Sequence, residues 1–213
     1  MSAIIRSARP GDADFLAWTI LAAGRAHLPR GWYDIALGLP HAECLVFLRH
    51  LVMTATPSWW RYDRFIVAEL DGAPVAALCA FGAADYAGSE AAMAEAGREM
   101  GWTEAALAGV WTRGAYVFTC SVGEAGTDVW TVENVATAPA HRGQGLAGAL
   151  LDEAMDRGRA AGFHKAQISF VIGNGPAERA YAKAGFALVN ENRHPDFEAA
   201  TGSPGLRRFT RAL

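Results

Sequence analysis

Three glycines in the segment HRGQGLAGALL, residues 141–151, sit at spacings that could hold phosphate. Counted from Gly143, the segment reads G-x-G-x-x-G (Gly143, Gly145, Gly148), the spacing of a dinucleotide-binding turn. Counted from Arg142, it reads R-x-x-G-x-A (Arg142, Gly145, Ala147), a second phosphate-loop spacing with a cation at its entrance. Both patterns rest on the same physics. The first turn of a helix leaves backbone N–H groups unpaired and carries partial positive charge, so it receives anionic oxygens. Glycine lets that backbone come close without a Cβ in the way.

The elements around the loop follow from periodicity and punctuation. Ile4 and Ile5 begin a short strand, and Asp12 opens a helix whose Phe15, Leu16, Ile20 and Leu21 recur at helical spacing. Residues 24–38, broken by Gly and Pro, read as loop. A second helix is predicted over 42–54, and Pro57 ends it. RFIVAEL and PVAALCAF, joined by Asp71-Gly72, read as a hairpin. Residues 88–112 read as alanine-rich helix, and 115–121 and 129–137 as strands separated by a turn at 123–126. Beyond the glycine loop come a helix over 145–161, a strand over 165–171, a helix over 176–184 and strands over 186–190 and 206–212. The order is that of an α+β fold with a βαβ unit in its second half.

Bulk properties narrow the function classes. A chain of 213 residues, 52% hydrophobic and 19% charged, suits one globular domain with a substantial core. Nineteen basic and 22 acidic residues give a net charge of −3, which lacks the electrostatic footprint of a nucleic-acid binder. Cys44, Cys79 and Cys120 are odd in number and form no C-x-x-C, as expected of reduced thiols in a cytoplasm. The N-terminal residues carry no signal-peptide pattern. The most apolar stretch, around 73–84, is shorter than the about 20 residues a membrane helix takes. The expectation is a cytoplasmic protein with no membrane partner.

The dinucleotide reading of the loop fails on its surroundings. It requires an acidic residue about 20 positions on, at the end of the next strand. Residues 168–173, ISFVIG, hold none. Too little chain follows for the usual doubly wound sheet, and Arg142 has no role in a dinucleotide turn. A nucleoside-triphosphate loop is excluded by the missing Gly-Lys-Ser/Thr.

The segment VENVATAPAHRGQGLAGALL, followed by NGPAERAYAKAGF, resembles the GNAT superfamily of acetyl-CoA-dependent N-acetyltransferases. The motif residues are Glu133 to Thr137, then Pro139 with Arg142-Gly143-Gln144-Gly145-Leu146-Ala147, then Asn174, Ala177, Tyr181, Lys183, Gly185 and Phe186. The resemblance implies a central twisted mixed sheet of about seven strands flanked by helices, in a single domain spanning 1–213. It implies that amides from Gly143 to Gly148, with Gln144, Gly145, Leu146 and Ala147 between them, hold the pyrophosphate of acetyl-CoA. Arg142 would add charge or bracing. Val135, Ala136 and Thr137 would offer a strand edge to the pantetheine arm, which requires this strand to splay from the strand at 165–171. Asn174 would bond the same arm or serve as a helix N-terminal turn residue.

Transfer to an amine sets three needs: a base for the amine proton, an N–H facing the oxyanion, and an acid for the departing sulfur. Glu133 is the candidate base, with an ordinary strand carboxylate as the competing reading. The Val135 amide is the candidate oxyanion donor. By the resemblance, Tyr181 is the acid. Strict alternation puts Glu133, Val135 and Thr137 on one face of their strand and Asn134 and Ala136 on the other.

His41, Glu43, Cys44 and His50 match no metal-ligand spacing, so no metal is expected. Residues 83–128 read as an insertion before the cofactor-binding βα unit. With the loop at 24–40, they would wall an acceptor pocket using some of the tryptophans, which could instead fill the core or an oligomer interface. The acceptor would be a small-molecule amine or a peptide amine, and a homodimer stays open. A non-catalytic acyl-CoA-binding or partner-binding module is the alternative, against which Glu133 and Tyr181 together argue for an enzyme.

Overall fold

The computed structural model describes residues 3–121 and 128–213. Strand β1 (Ile4–Ser7) leads into α1 (Ala13–Arg25), α2 (Trp32–Leu37) and α3 (His41–Val52). The hairpin β2 (Phe65–Leu70) and β3 (Ala73–Phe81) follows, then α4 (Ser89–Glu99) and α5 (Glu104–Gly114). The second half runs β4 (Trp130–Thr137), α6 (Leu146–Ala160), β5 (Lys165–Val171), α7 (Gly175–Lys183), β6 (Ala187–Arg193), α8 (Pro195–Thr201) and β7 (Gly205–Ala212).

The seven strands form one mixed sheet in the order β1-β2-β3-β4-β5-β7-β6. Among the described residues β4 and β5 run parallel, and the other neighbouring strands pair antiparallel. The β2–β3 hairpin turns at Asp71 (φ 51°) and Gly72 (φ 80°), the two left-handed positions that an Asp-Gly turn supplies. Alternation along β3 separates two cores. Ala77, Cys79 and Phe81 join Leu16, Ile20, Phe47, Leu51 and Met93 beneath α1 to α5. Ala76, Leu78 and Ala80 join Leu150, Met155, Ile168, Phe170 and Phe209 beneath α6 and α7.

Three local expectations change. The segment at 24–38 contains α2, started by Asp34, whose carboxylate accepts from the Gly31 N–H at 2.9 Å. The helix expected over 88–112 is two helices, broken at Gly101 (φ 70°), with Thr103 capping the second through its hydroxyl. Residues 115–121 are not a strand. Ala115–Thr119 is a 3-10 helix, in which the Thr119 hydroxyl donates to the Tyr116 carbonyl at 2.6 Å. The Ser121 hydroxyl donates to the Val117 carbonyl at 2.8 Å. Such local side-chain bonds offer the backbone an alternative to a sheet ladder. The short helix α8 carries no expectation from the sequence, and the turn expected at 123–126 lies outside the described residues.

Candidate active site

The site begins where two strands part. β4 and β5 pair at Trp130–Ala166, Thr131–Gln167 and Val132–Ile168, and the pairing ends there. β4 continues to Thr137 and β5 to Val171, so their C-terminal halves diverge. The divergence coincides with a bulge in β4. Its register with β3 passes from Glu133↔Cys79 to Ala136↔Ala77, which leaves one extra residue on β4. Asn134 takes the left-handed conformation there (φ 53°), which Asn tolerates better than most residues. A bulge bends its strand and sharpens the twist.

The bulge also overturns the alternation. Residues paired across strands share a face, so Glu133 lies with Cys79 on the α1-to-α5 side. Val135 packs in the opposite core, beneath α6. The two therefore occupy opposite faces, because the inserted residue resets the count of two.

The glycine turn has the expected character. Gly143 (φ 77°) and Gly145 (φ 79°) are left-handed, and Gly145 caps α6. No carboxylate stands in the first turn of α6, and no side chain caps it. A Cβ on Gly143, Gly145 or Gly148 would meet nothing within 4 Å, so all three face open space. That is the cradle a pyrophosphate needs, and the residues fit the group. The Arg142 Nε donates to the Thr137 carbonyl at 3.3 Å and braces the turn against the end of β4.

A cavity of about 1270 Å³ joins these parts. It is lined by Glu133, Val135, Ala136, Thr137, Arg142, Gly143, Gly145, Leu146, Ala147, Gly148, Asn174 and Tyr181, which is every site residue expected from the sequence except Gln144. Gln144 lines a separate small recess with Ala3, Ile5 and Leu70. The Asn174 side chain caps α7, accepting from the Ala177 N–H at 3.3 Å.

Two titratable groups face the cavity from either side of the gap. Burial pushes the Glu133 carboxyl up to about 7, partly offset by the positive charge of Arg208. Among the described residues the Glu133 carboxylate has no hydrogen-bond or ion-pair partner. Tyr181 is buried on α7, edge-on to Phe170 with ring centroids 5.5 Å apart. Burial, and then the charge of Glu133, raises its phenol above the ordinary tyrosine range. It is therefore protonated at neutral pH.

The far end of the cavity is aromatic. Trp32 donates its indole N–H to the Gly114 carbonyl at 2.9 Å and so locks α2 to α5, and its ring lies 6.4 Å from that of Trp111. Trp60 donates to the Tyr33 hydroxyl at 2.7 Å. Trp32, Trp59, Trp60 and Trp111 line the cavity. Trp102 instead stacks on Phe47 in the core, and Trp18 packs beside Phe15. Sequence reasoning missed Arg208, whose strand carries no motif. Only the sheet order, with β7 beside β5, brings it to the cavity.

Residues 41–186 match the model of the acetyltransferase (GNAT) family. The chain belongs to the GNAT acetyltransferase family. A comparison with curated proteins returns no match. Among solved structures, one described as an acetyltransferase superposes with TM-score 0.70 at 19% identity, covering 99% of each chain. An N-acetyltransferase from Staphylococcus aureus Mu50 gives 0.69 at 20% identity, over 98% of this chain and all of that one. A polyamine N-acetyltransferase from Drosophila melanogaster, which forms N-acetylagmatine, gives 0.56 at 18% identity over 99% and 100%. GNAT enzymes use acetyl-CoA, and the glycine turn at the head of α6 falls within the matched span. Among the described residues, no helix is long and apolar enough to cross a membrane.

Proposed function

We propose that this GNAT acetyltransferase moves an acetyl group from acetyl-CoA to a primary amine by direct attack on the thioester. The observation that carries the reading is the gap between β4 and β5. An unpartnered Glu133 lines it on one side, Tyr181 lines it on the other, and a carboxylate-free helix N-terminus stands at its mouth. Amine acceptors are also what the similar Drosophila enzyme is described as using.

Acetyl-CoA, when bound, supplies an activated acyl group on sulfur. The amides of the turn from Gly143 to Gly148 bind its pyrophosphate, braced by Arg142. The parted edge of β4 at Val135, Ala136 and Thr137 pairs with the pantetheine arm, and Asn174 contacts it while capping α7. Glu133, directly or through water, accepts the proton of the attacking amine. A carboxylate near 7 is a better base than one near 4.5, and about half of it is ionised at neutral pH. The Val135 N–H donates to the developing oxyanion. Tyr181 donates its proton toward the departing sulfur and is reprotonated from solvent. The net change is amine plus thioester to amide plus thiol. Residues 1–213 act as one domain, in which the described part of the 83–128 segment walls the acceptor end through Trp111 and Tyr116.

Thiol release from acetyl-CoA across a panel of amines tests the activity, and calorimetry tests donor binding. Tyr181→Phe should lower kcat by about 100-fold while changing acetyl-CoA affinity by less than about threefold. Donor binding without turnover on any acceptor would favour a non-catalytic acyl-CoA-binding module. Unchanged turnover in Tyr181→Phe would remove that residue from the chemistry.

A further inference from the structure

Two neighbouring arginines on β7 are treated very differently. Arg207 forms ion pairs with Glu178 at 2.8 Å and Glu191 at 2.6 Å. Arg208, on the opposite face, forms none among the described residues. Its Nη2 donates to the Ser121 carbonyl at 3.2 Å, and its Nε is buried without a partner among the described residues. A guanidinium N–H removed from water with nothing to receive it is costly, and such groups are ordinarily matched by an anion.

Register fixes where this unmatched donor sits. Ser169 pairs with Arg208, and Val132 with Ile168, so Glu133, Ser169 and Arg208 fall level on one face across β4, β5 and β7. Two strand spacings put the backbones of Glu133 and Arg208 about 10 Å apart, and more where the strands splay. All three line the cavity. The two charges act on each other without forming an ion pair. Tyr86, whose ring lies 6.2 Å from that of Trp59, is acted on by both. The cavity's other carboxylates, Glu90 and Asp152, do not pair with Arg208 either. Among the described residues, the cavity floor thus offers a carboxylate with no partner and a guanidinium with no carboxylate and one unsatisfied N–H, separated by the reach of a small molecule and walled by aromatic rings.

We infer that the acceptor is an amino-carboxylic acid, its carboxylate received by Arg208 and its amine presented to Glu133. Arg208 is a specificity-determining residue in this assignment. The inference rests on the reading of this cavity as an acetyl-transfer site. It separates this chain from enzymes whose acceptor carries only amino groups.

Matched pairs differing only in the carboxylate test the inference: L-phenylalanine with 2-phenylethylamine, L-tryptophan with tryptamine, and L-arginine with agmatine. At saturating acetyl-CoA, kcat/KM for the acid in the best-used pair should exceed that for its decarboxylated partner by about tenfold or more. Arg208→Gln should collapse that ratio to near one, and Arg208→Lys should restore part of it, with acetyl-CoA affinity as the check that each variant is folded. Wild-type preference for the decarboxylated members overturns the inference without any variant. An equal loss on both members in Arg208→Gln also overturns it, since the arginine would then serve only to set the charge balance at Glu133. If no acceptor is turned over, the transfer reading fails, but the arginine can still be judged by tryptophan fluorescence with CoA present. Tighter binding of the acids than of the amines, lost in Arg208→Gln, upholds the carboxylate site, and equal or weaker binding of the acids rejects it.

Discussion

Glu133 works against the fold it sits in. Its carboxyl, ordinarily near 4.5, is pushed up to about 7, so the folded chain holds this proton more tightly than the unfolded chain does. Its contribution therefore favours folding below about pH 4.5 and is lost as pH rises through about 7. Glu133→Gln, which mimics the protonated form, should raise stability at pH 8 by about 2 kcal/mol after allowing for partial exposure. The difference should vanish by pH 4, as urea melts at the two pH values would show. The same substitution should cut kcat by about 100-fold. In the wild type, turnover should rise from pH 6 to pH 8 as the base ionises, and the variant should lack that acid limb. Glu133 itself was legible as the carboxylate of a strand entering the glycine loop. Its orientation relative to Val135 was not, because one left-handed residue, Asn134, resets the alternation and nothing in the local sequence marks it.

The glycine turn and the helix behind it separate two uses of glycine. Gly143 and Gly145 are needed for their left-handed backbone, whereas Gly148 is an ordinary helical residue with open space where a Cβ would stand. Gly148→Ala should therefore stabilise the empty protein by roughly 0.5–1 kcal/mol, since alanine is the better helix former. If the pyrophosphate lies where the turn implies, the same methyl should weaken acetyl-CoA binding about tenfold or more. Thermal melts and calorimetry on one sample read the two effects in opposite directions, and undiminished affinity would move the phosphates elsewhere. This unit was readable because a phosphate cradle is built from contiguous residues. AYVFTCS was misread for the converse reason: its β-branched and aromatic residues suit a strand, but hydroxyl-to-carbonyl bonds at Thr119 and Ser121 close it into a 3-10 turn. The helix at Trp32–Leu37 hid between glycines, needing only the Asp34 carboxylate to begin.

At the scale of the whole chain, the α+β order and the βαβ unit followed from periodicity, but the neighbours of each strand did not. Placing β7 between β5 and β6 brings Arg208 level with Ser169, more than thirty residues away, and no spacing rule reaches that far. Nor does local spacing tell the tryptophans that line the cavity from those that fill the core: Trp102 and Trp111 share one stretch of sequence, yet only Trp111 faces the cavity. The parted strands carry a mechanical consequence as well. The sheet is two slabs, β1 to β4 and β5 to β7, stitched along their common border by Trp130, Thr131 and Val132 with Ala166, Gln167 and Ile168. A border so short is a seam along which the slabs can rock, and a ligand laid across it acts as a clasp. Saturating acetyl-CoA should then slow amide hydrogen exchange at Trp130, Thr131 and Val132 more than at the β2–β3 hairpin, so that filling the cleft stiffens the sheet that holds it open.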